Sequence, residues 1–338
     1  MFIFWGKHQY TYGLILSGGG AKGAYQIGVF KALDELGIAH RVTALSGCSI
    51  GALNTLLFAT GGPDLWQEAW AQVSYDSFFQ KGDATARSRL GAMLRDLVEQ
   101  ARGGTLEGYL ARPPLFSQAG MEAYIRRFID RDRLAATKLR LYCNAYNLER
   151  GAPENFCLND YGYDDVIRLA MASSALPVVY RPVAFGGSHY SDGGMMPPYL
   201  GDRPENHEKV PAAAMKDEDC DIMIIVYLSH KDRVDRSVFR PGTRVLELYP
   251  SRPLERRPGT GTLDLAPEAL AANQTLGYRD TMAAMAPMMA GRLRGRSLDE
   301  VLARHDRQNR LLLEAQSPGG GPDMAKPPIR PAGAGVGQ

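Results

Sequence analysis

Residues 12–36 read YGLILSGGGAKGAYQIGVFKALDEL. Tyr12 to Leu16 is a short apolar run of strand length, and Gly18 to Gly20 break it. Tyr25, Val29, Ala32, Leu33 and Leu36 then recur at helical spacing until Gly37 stops them. The grammar is strand, tight loop, helix. It repeats at once in residues 42–63, VTALSGCSIGALNTLLFATGGP. Val42 to Leu45 reads as strand, Gly47 to Gly51 as turn, and Ala52 to Ala59 as a helix ended by Gly61-Gly62-Pro63. Two such units in succession predict an α/β fold of three layers, with helices on both faces of a mostly parallel sheet.

Further along the chain, Leu139 to Leu148 reads as strand and Asp164 to Ser174 as helix. Val183 to Phe185 and Ser188 to Ser191 flank Gly186-Gly187 as a hairpin. Ile222 to Leu228 is the continuous apolar run of a strand buried on both faces, and Arg244 to Tyr249 alternates like an edge strand. The sheet is expected to have about six members. Pro267 to Met289 and Leu298 to Leu313 read as helices. Residues 64–110, with Trp66, Trp70, Phe78 and Phe79 among scattered charges, read as a helical insertion or cap. Residues 317–338 are rich in Gly and Pro with little to bury, and are expected to be disordered.

Composition excludes several functions. Lys+Arg 39 against Asp+Glu 37 gives a formal charge of +2, and no long basic run exists, so no nucleic-acid partner is expected. Cys48, Cys143, Cys157 and Cys220 include no Cys-x-x-Cys pair and are too sparse to staple a chain of this length. No ligand-spaced His, Cys and acid cluster is seen, so neither a metal nor another cofactor is expected. The apolar stretch Met1 to Trp5 is cut off by Lys7 and His8, short of a signal peptide's apolar region. The uncharged stretch from Val42 to Pro63 carries Ser46, Ser49, Asn54 and glycines, and reads as a turn at a site and not as a membrane span.

Two turns carry the chemistry. Gly47-Cys48-Ser49-Ile50-Gly51 matches G-x-S-x-G, in which glycines permit a sharp strand-to-helix turn that exposes a Ser hydroxyl. Composition alone produces that pattern in about one chain in five, so its position between a strand and a helix gives it weight. Gly18-Gly19-Gly20-Ala21-Lys22-Gly23 joins the preceding strand to its helix, and adjacent parallel strands would set the two turns face to face. Convergent backbone N–H groups at a helix start hold an anion, either a phosphate or the oxyanion of acyl transfer. The phosphate alternative rests on Gly18, Gly20 and Gly23 as G-x-G-x-x-G, a nucleotide-binding reading. The second strand lacks the acid that a dinucleotide ribose requires, and Gly23 is followed by Ala24 where a P-loop needs Lys. A base for Ser49 could be Asp192, which follows a short strand and precedes Gly193-Gly194. Alternatively, an α/β-hydrolase-type esterase triad would add His207 or His230. Only two strands precede Ser49, which disfavours the triad. His8, His40 and His305 read as surface residues.

Together these segments resemble the patatin-like phospholipases, whose glycine-rich oxyanion loop, G-x-S-x-G elbow and Asp-Gly-[Gly/Ala] motif occur here in that order. Ala172-Ser173-Ser174-Ala175-Leu176-Pro177, Gly261-Thr262-Leu263-Asp264 and Leu276-Gly277-Tyr278 extend the likeness, which covers about residues 12–285. It implies a patatin-like domain over 10–290, followed by a C-terminal helix over 291–316. It also implies a Ser-Asp dyad of Ser49 as nucleophile and Asp192 as base. Gly18, Gly19, Gly20 and Gly23 would frame the oxyanion hole, with Lys22, Gly47, Gly51, Gly193 and Gly194 in support. The implied reaction is hydrolysis of carboxylic esters of phospholipid or lysophospholipid through an acyl-serine. The implied location is cytoplasmic, with peripheral contact at a membrane surface. Cys48 stands where a Thr is frequent in the family, and Met195-Met196-Pro197-Pro198 with the polar stretch 201–219 replaces a compact turn. Met195, Met196 and Pro197 are expected to form an apolar entrance near the cap aromatics.

Overall fold

The computed structural model describes residues 10–75, 104–195, 197, 199, 207–255, 261–293 and 297–316. In chain order the elements are β1 (Tyr12–Leu16), α1 (Ala24–Glu35), β2 (Val42–Cys48), α2 (Ile50–Thr60) and α3 (Pro63–Ala71). Next come α4 (Leu106–Ala111), α5 (Ala119–Phe128), α6 (Arg131–Ala136), β3 (Arg140–Asn147), β4 (Ala152–Cys157) and α7 (Tyr163–Ser173). The chain ends with β5 (Val183–Phe185), β6 (Ser188–Asp192), β7 (Ile222–Val226), β8 (Arg244–Leu248), α8 (Pro267–Leu293) and α9 (Leu298–Ala315).

Five strands run parallel in the spatial order β3-β2-β1-β7-β8, and three antiparallel strands gather around β3. Successive residues of β1 and β7 face opposite layers. Leu14, Leu16, Ile224 and Val226 enter the larger core under α1, α2 and α8, while Ile15, Met223 and Ile225 enter a second core with Val210, Met215 and Tyr249. Burial on both faces is why these strands are apolar throughout and do not alternate. The Gly186-Gly187 hairpin forms as the sequence predicts, with φ of 57° and 83°, the left-handed pair that a two-residue turn needs.

Among the described residues the sheet has eight strands where about six are expected. The strand left unassigned from the sequence is β4, whose Pro153 and exposed polar residues give no strand pattern. Among the described residues it pairs with β3 alone, and an edge position tolerates both features. Of the expected cap, α3 and most of α4 are helical within 64–110. Phe78 and Phe79 lie outside the described residues, as does the tail 317–338.

β3 is the strand that assembles the site. On one edge it pairs with β4 from Tyr142 to Asn147. On its other edge β2 runs alongside until Cys48 lies opposite Asn144, and there β2 ends. The next residue of β3, Ala145, lies opposite Asp192 of the antiparallel β6. One edge of one strand therefore receives the end of β2 and the end of β6 in consecutive registers. Ser49, the residue after β2, is thereby brought beside Asp192.

Candidate active site

Ser49 sits between β2 and α2 with φ 54° and ψ −124°, a left-handed backbone that is costly for a residue with a Cβ. Among the described residues only Val178 shares a positive φ without being glycine. The turn is forced by close packing on both sides. A Cβ at Gly47 would collide with the Gly51 carbonyl oxygen, and one at Gly51 would collide with that of Leu16. The Ser49 N–H donates to Ser173 Oγ at 2.8 Å, which holds the strained residue at the head of α2.

The end of α7 clamps the opposite side as well. The Ser173 carbonyl accepts the Gly193 N–H at 3.2 Å, and the Ala175 carbonyl accepts the Asp192 N–H at 2.8 Å. Ser173 thus holds the Ser49 turn through its side chain and the Asp192 turn through its backbone. Its part in the site is missed by sequence reasoning, although the segment 172–177 itself is noticed, because a buried Ser near a helix end has no local signature.

Asp192 is 2% exposed. Oδ1 accepts the Gly194 N–H at 2.9 Å, while Oδ2 is buried without a full hydrogen-bond partner. Burial pushes its pKa up from 3.8 to about 6. The strongest opposing pull is hydrogen bonding from the Ser49 side chain, followed by Gly194 N–H and the Lys209 ammonium. Cys48, adjacent to Ser49, is fully buried, and burial together with the Asp192 charge pushes its thiol pKa well up. It stays a neutral thiol and does not compete with Ser49.

The glycine loop faces the elbow. A Cβ at Gly18 would lie 3.2 Å from Cys48 Sγ and 3.3 Å from the Ser49 Cβ. The Gly18 N–H is already committed to the Lys209 carbonyl at 2.9 Å. The Gly19 and Gly20 N–H groups have no backbone acceptor among the described residues. Gly20 adopts φ 57°, with Thr262 packed where a Cβ would be. Gly23 lies deeper, against Ile50 of α2, and so joins the loop to the elbow helix. Lys22 is half-buried beside the loop, its pKa held down by burial and by Lys209. Gly193 and Gly194 pass close to Asn144 and to Cys48, respectively.

Ser49 and Gly20 open into a pocket of about 520 Å³, its mouth included, walled by Ile50, Leu53, Trp70, Leu176 and Leu265. Met195 is 46% exposed immediately after the Asp192 turn, an apolar side chain in solvent. Met196 lies outside the described residues. Of the two expected tryptophans, Trp70 reaches this pocket. Trp66 instead stacks on Phe58 and meets Phe30 edge-on within the core. No described histidine side chain serves Ser49: His189 bonds Glu149, His230 the Pro250 carbonyl and His305 the Glu247 carbonyl, while the His207 side chain is outside the description. Among the described residues no group of His, Cys, Asp and Glu could hold a metal, and no helix is long and apolar enough to cross a membrane.

The family model for patatin-like phospholipases matches residues 14–200, more than half of the chain and the whole interval from the glycine loop to the aspartate turn. The chain belongs to the patatin-like phospholipase family, a family of lipid-ester hydrolases. It is 31% identical over 185 residues to lysophospholipase nte1 of Aspergillus terreus, and 30% identical over 185 residues to lysophospholipase NTE1 of Phaeosphaeria nodorum. Each match covers 54% of this chain and 10% of the relative, so the chain spans about a tenth of the length of these curated relatives. Solved structures that it is similar to include human GIVD cytosolic phospholipase A2 in complex with methyl gamma-linolenyl fluorophosphonate. That match has a TM-score of 0.41 and 12% identity over 89% of this chain and 60% of the other. VipD from Legionella pneumophila matches with a TM-score of 0.37 and 14% identity over 82% of this chain and 66% of that one.

Proposed function

We propose that this chain is a lipid acyl hydrolase of the phospholipase A or lysophospholipase type, cleaving carboxylic esters through a Ser49–Asp192 dyad. The observation that carries the reading is the convergence of four features at one point. These are a buried serine at a strained turn, a buried aspartate whose proton affinity is lowered by that serine, a loop whose Gly19 and Gly20 N–H groups have no backbone acceptor among the described residues, and an apolar pocket. Asp192, at a pKa of about 6, is ionised at neutral pH yet basic enough to take a proton. As Ser49 Oγ attacks the ester carbonyl, its proton passes to Asp192. The Gly19 and Gly20 N–H groups receive the negative charge that develops on the carbonyl oxygen. Collapse releases the alcohol portion, which takes the proton from Asp192 and leaves acyl-Ser49. A water that gives a proton to Asp192 as it attacks the acyl carbonyl then frees the fatty acid, and Asp192 returns that proton to the departing Ser49 Oγ. No histidine and no metal enters the cycle.

The pocket suits an acyl chain, and the similarity to lysophospholipases suggests a lysophospholipid as the first substrate to try. Exposed Met195 beside the aspartate turn fits a substrate presented at a membrane surface, with the protein bound there peripherally. The decisive experiment pairs labelling with turnover. A fluorophosphonate is expected to modify Ser49, and Ser49→Ala is expected to remain folded while losing essentially all hydrolysis of lysophosphatidylcholine and phosphatidylcholine vesicles. Normal turnover by the Ala variant would sink the assignment. Product analysis of membrane lipids treated with the natural protein reads headgroup and acyl position directly.

A further inference from the structure

The segment 208–211 packs near the carboxyl ends of the parallel strands and is tied to them by its own carbonyl groups. Asn144 Nδ2 of β3 donates to the Glu208 carbonyl at 2.7 Å, and Ser46 Oγ of β2 donates to the Pro211 carbonyl at 2.9 Å. Between them, the Lys209 carbonyl accepts the N–H of Gly18, just beyond β1, at 2.9 Å. The Lys209 side chain extends the ties to a further strand. Its stem passes the aspartate turn, where a Cβ at Gly194 would lie 3.0 Å from Lys209 Cγ. Its ammonium stands 3.1 and 3.3 Å from the two carboxylate oxygens of Asp232, in the loop after β7. The Asp232 carbonyl is held in turn by Tyr249 Oη at 3.2 Å and by the Arg233 guanidinium at 2.6 Å.

The charges that meet here come from several elements. Lys22 of the glycine loop is repelled by Lys209 and attracted by Glu255 and Asp232. Asp192, at the end of β6, feels the Lys209 ammonium, the one full positive charge among the strongest influences on it. Glu208 adds a negative charge on the side of Cys48, whose thiol stays neutral. A buried carboxylate holds its charge better beside a cation, and it loses part of that support to any acid that competes for the same cation.

We propose that Lys209 is a positioning residue for Ser49 and Asp192: its carbonyl sets the glycine loop, and its ammonium, divided between Asp232 and Asp192, sustains the Asp192 carboxylate. The inference rests on the dyad reading for the use made of that carboxylate. Removing the ammonium leaves Asp192 facing a second carboxylate. Removing the Asp232 charge leaves the ammonium to Asp192 alone. The two halves of one ion pair therefore act on Asp192 in opposite directions, which a merely structural bridge would not do.

The test is the pH profile of kcat/KM for p-nitrophenyl butyrate, read within each variant as its value at about pH 5.5 relative to that at about pH 8.5. Lys209→Met keeps the stem and the backbone carbonyl and removes the charge. Its ratio is expected to fall about threefold, as the acid limb moves up by about half a pH unit. Asp232→Asn is expected to raise the ratio about twofold, and Lys209→Arg to restore the natural ratio. A ratio unmoved in both charge variants, a change of the same sign in both, or an Arg variant that behaves like Met overturns the proposal. Should Lys209→Met not fold, Asp232→Asn decides alone, and an unchanged or lowered ratio overturns it. The Asp192 carboxyl signal in a carbon NMR titration, assigned by its absence in Asp192→Asn, reads the same shifts without turnover. Normal hydrolysis by Ser49→Ala would break the dyad reading, while the carboxyl titration still decides this one: midpoints of the two charge variants that do not move apart overturn it.

Discussion

The two turns that face each other at the site are built from the same local unit and are stiff in opposite ways. In the elbow, the strain sits on a residue with a side chain, and it is held by backbone collisions that forbid any Cβ at Gly47 or Gly51, with the Ser173 hydrogen bond fixing the Ser49 N–H. In the glycine loop, the left-handed residue is Gly20 and the strain is absent. Gly18 is tied to the Lys209 carbonyl, while the N–H groups of Gly19 and Gly20 are left without backbone acceptors among the described residues. The elbow presents a side chain in one orientation, and the loop presents bare backbone. The proposed acyl transfer would need one of each: a nucleophile that cannot swing away and N–H donors that are already aimed.

The largest expected effect concerns Asp192, the carboxylate beside the elbow. Asp192→Asn keeps the shape and removes the proposed base, and kcat is expected to fall on the order of 10⁴-fold, the scale seen when a catalytic carboxylate is neutralised. Stability is expected to move the other way. Burial raises the Asp192 pKa from 3.8 to about 6, so the native state keeps a proton that the unfolded chain has released. Its favourable contribution is complete below pH about 4 and is lost as the pH rises through about 6, leaving a buried charge that costs about 3 kcal/mol at neutral pH. The Asn variant is therefore expected to have a higher Tm at pH 7.5 than the natural protein, with the gap closing toward pH 4. The same carboxyl predicts that kcat/KM falls about tenfold per pH unit below about 6 and levels off above it. A Tm that does not rise in the Asn variant would mean that the carboxylate is better stabilised than its unpartnered Oδ2 suggests.

A smaller effect separates the turns themselves. Gly19→Val meets mainly the Leu228 side chain, which can shift, so the variant is expected to fold with kcat lowered about 10²-fold through displaced N–H donors. Gly47→Ala meets the backbone of Gly51 and Ala52 and is expected to lower Tm sharply, with circular dichroism showing the loss. The comparison breaks if Gly47→Ala is stable and merely slow, or if Gly19→Val unfolds. The smallest effect tests the clamp. Ser173→Ala leaves the buried Ser49 N–H without its acceptor, at a cost of about 1–3 kcal/mol in denaturant titration. Fluorophosphonate labelling of Ser49 is expected to slow by severalfold as the turn loosens.

Much of this site is legible in the chain because turn chemistry is local. Glycines at 18–20 and 47–51, between an apolar strand run and a helical period, define both loops and their order before any packing is known. The hairpin at Gly186-Gly187 is equally local, and it carries Asp192 at its end. β4 is unreadable because its residues answer to an edge position, and an edge has no sequence period of its own once Pro153 and polar side chains occupy it. The roles of Ser173 and Asn144 are invisible for a related reason: a buried polar side chain is explained by its partner, and the partner is elsewhere in the sequence.

By itself the sequence determined the strand–turn–helix units, the residue types at each turn and the class of chemistry they could perform, since steric and hydrogen-bond demands within a few residues settle those. Only the tertiary structure decided that Ser49 and Asp192 meet. That meeting depends on where β2 and β6 stop along the same edge of β3, with Cys48 opposite Asn144 and Asp192 opposite Ala145. Strand register is set by packing over the whole sheet, and a shift of one residue would turn the aspartate to the other face of the sheet. The pocket is likewise a product of helix docking, because its walls come from α2, α3, α5 and the segments after α7 and before α8, which no local pattern brings together.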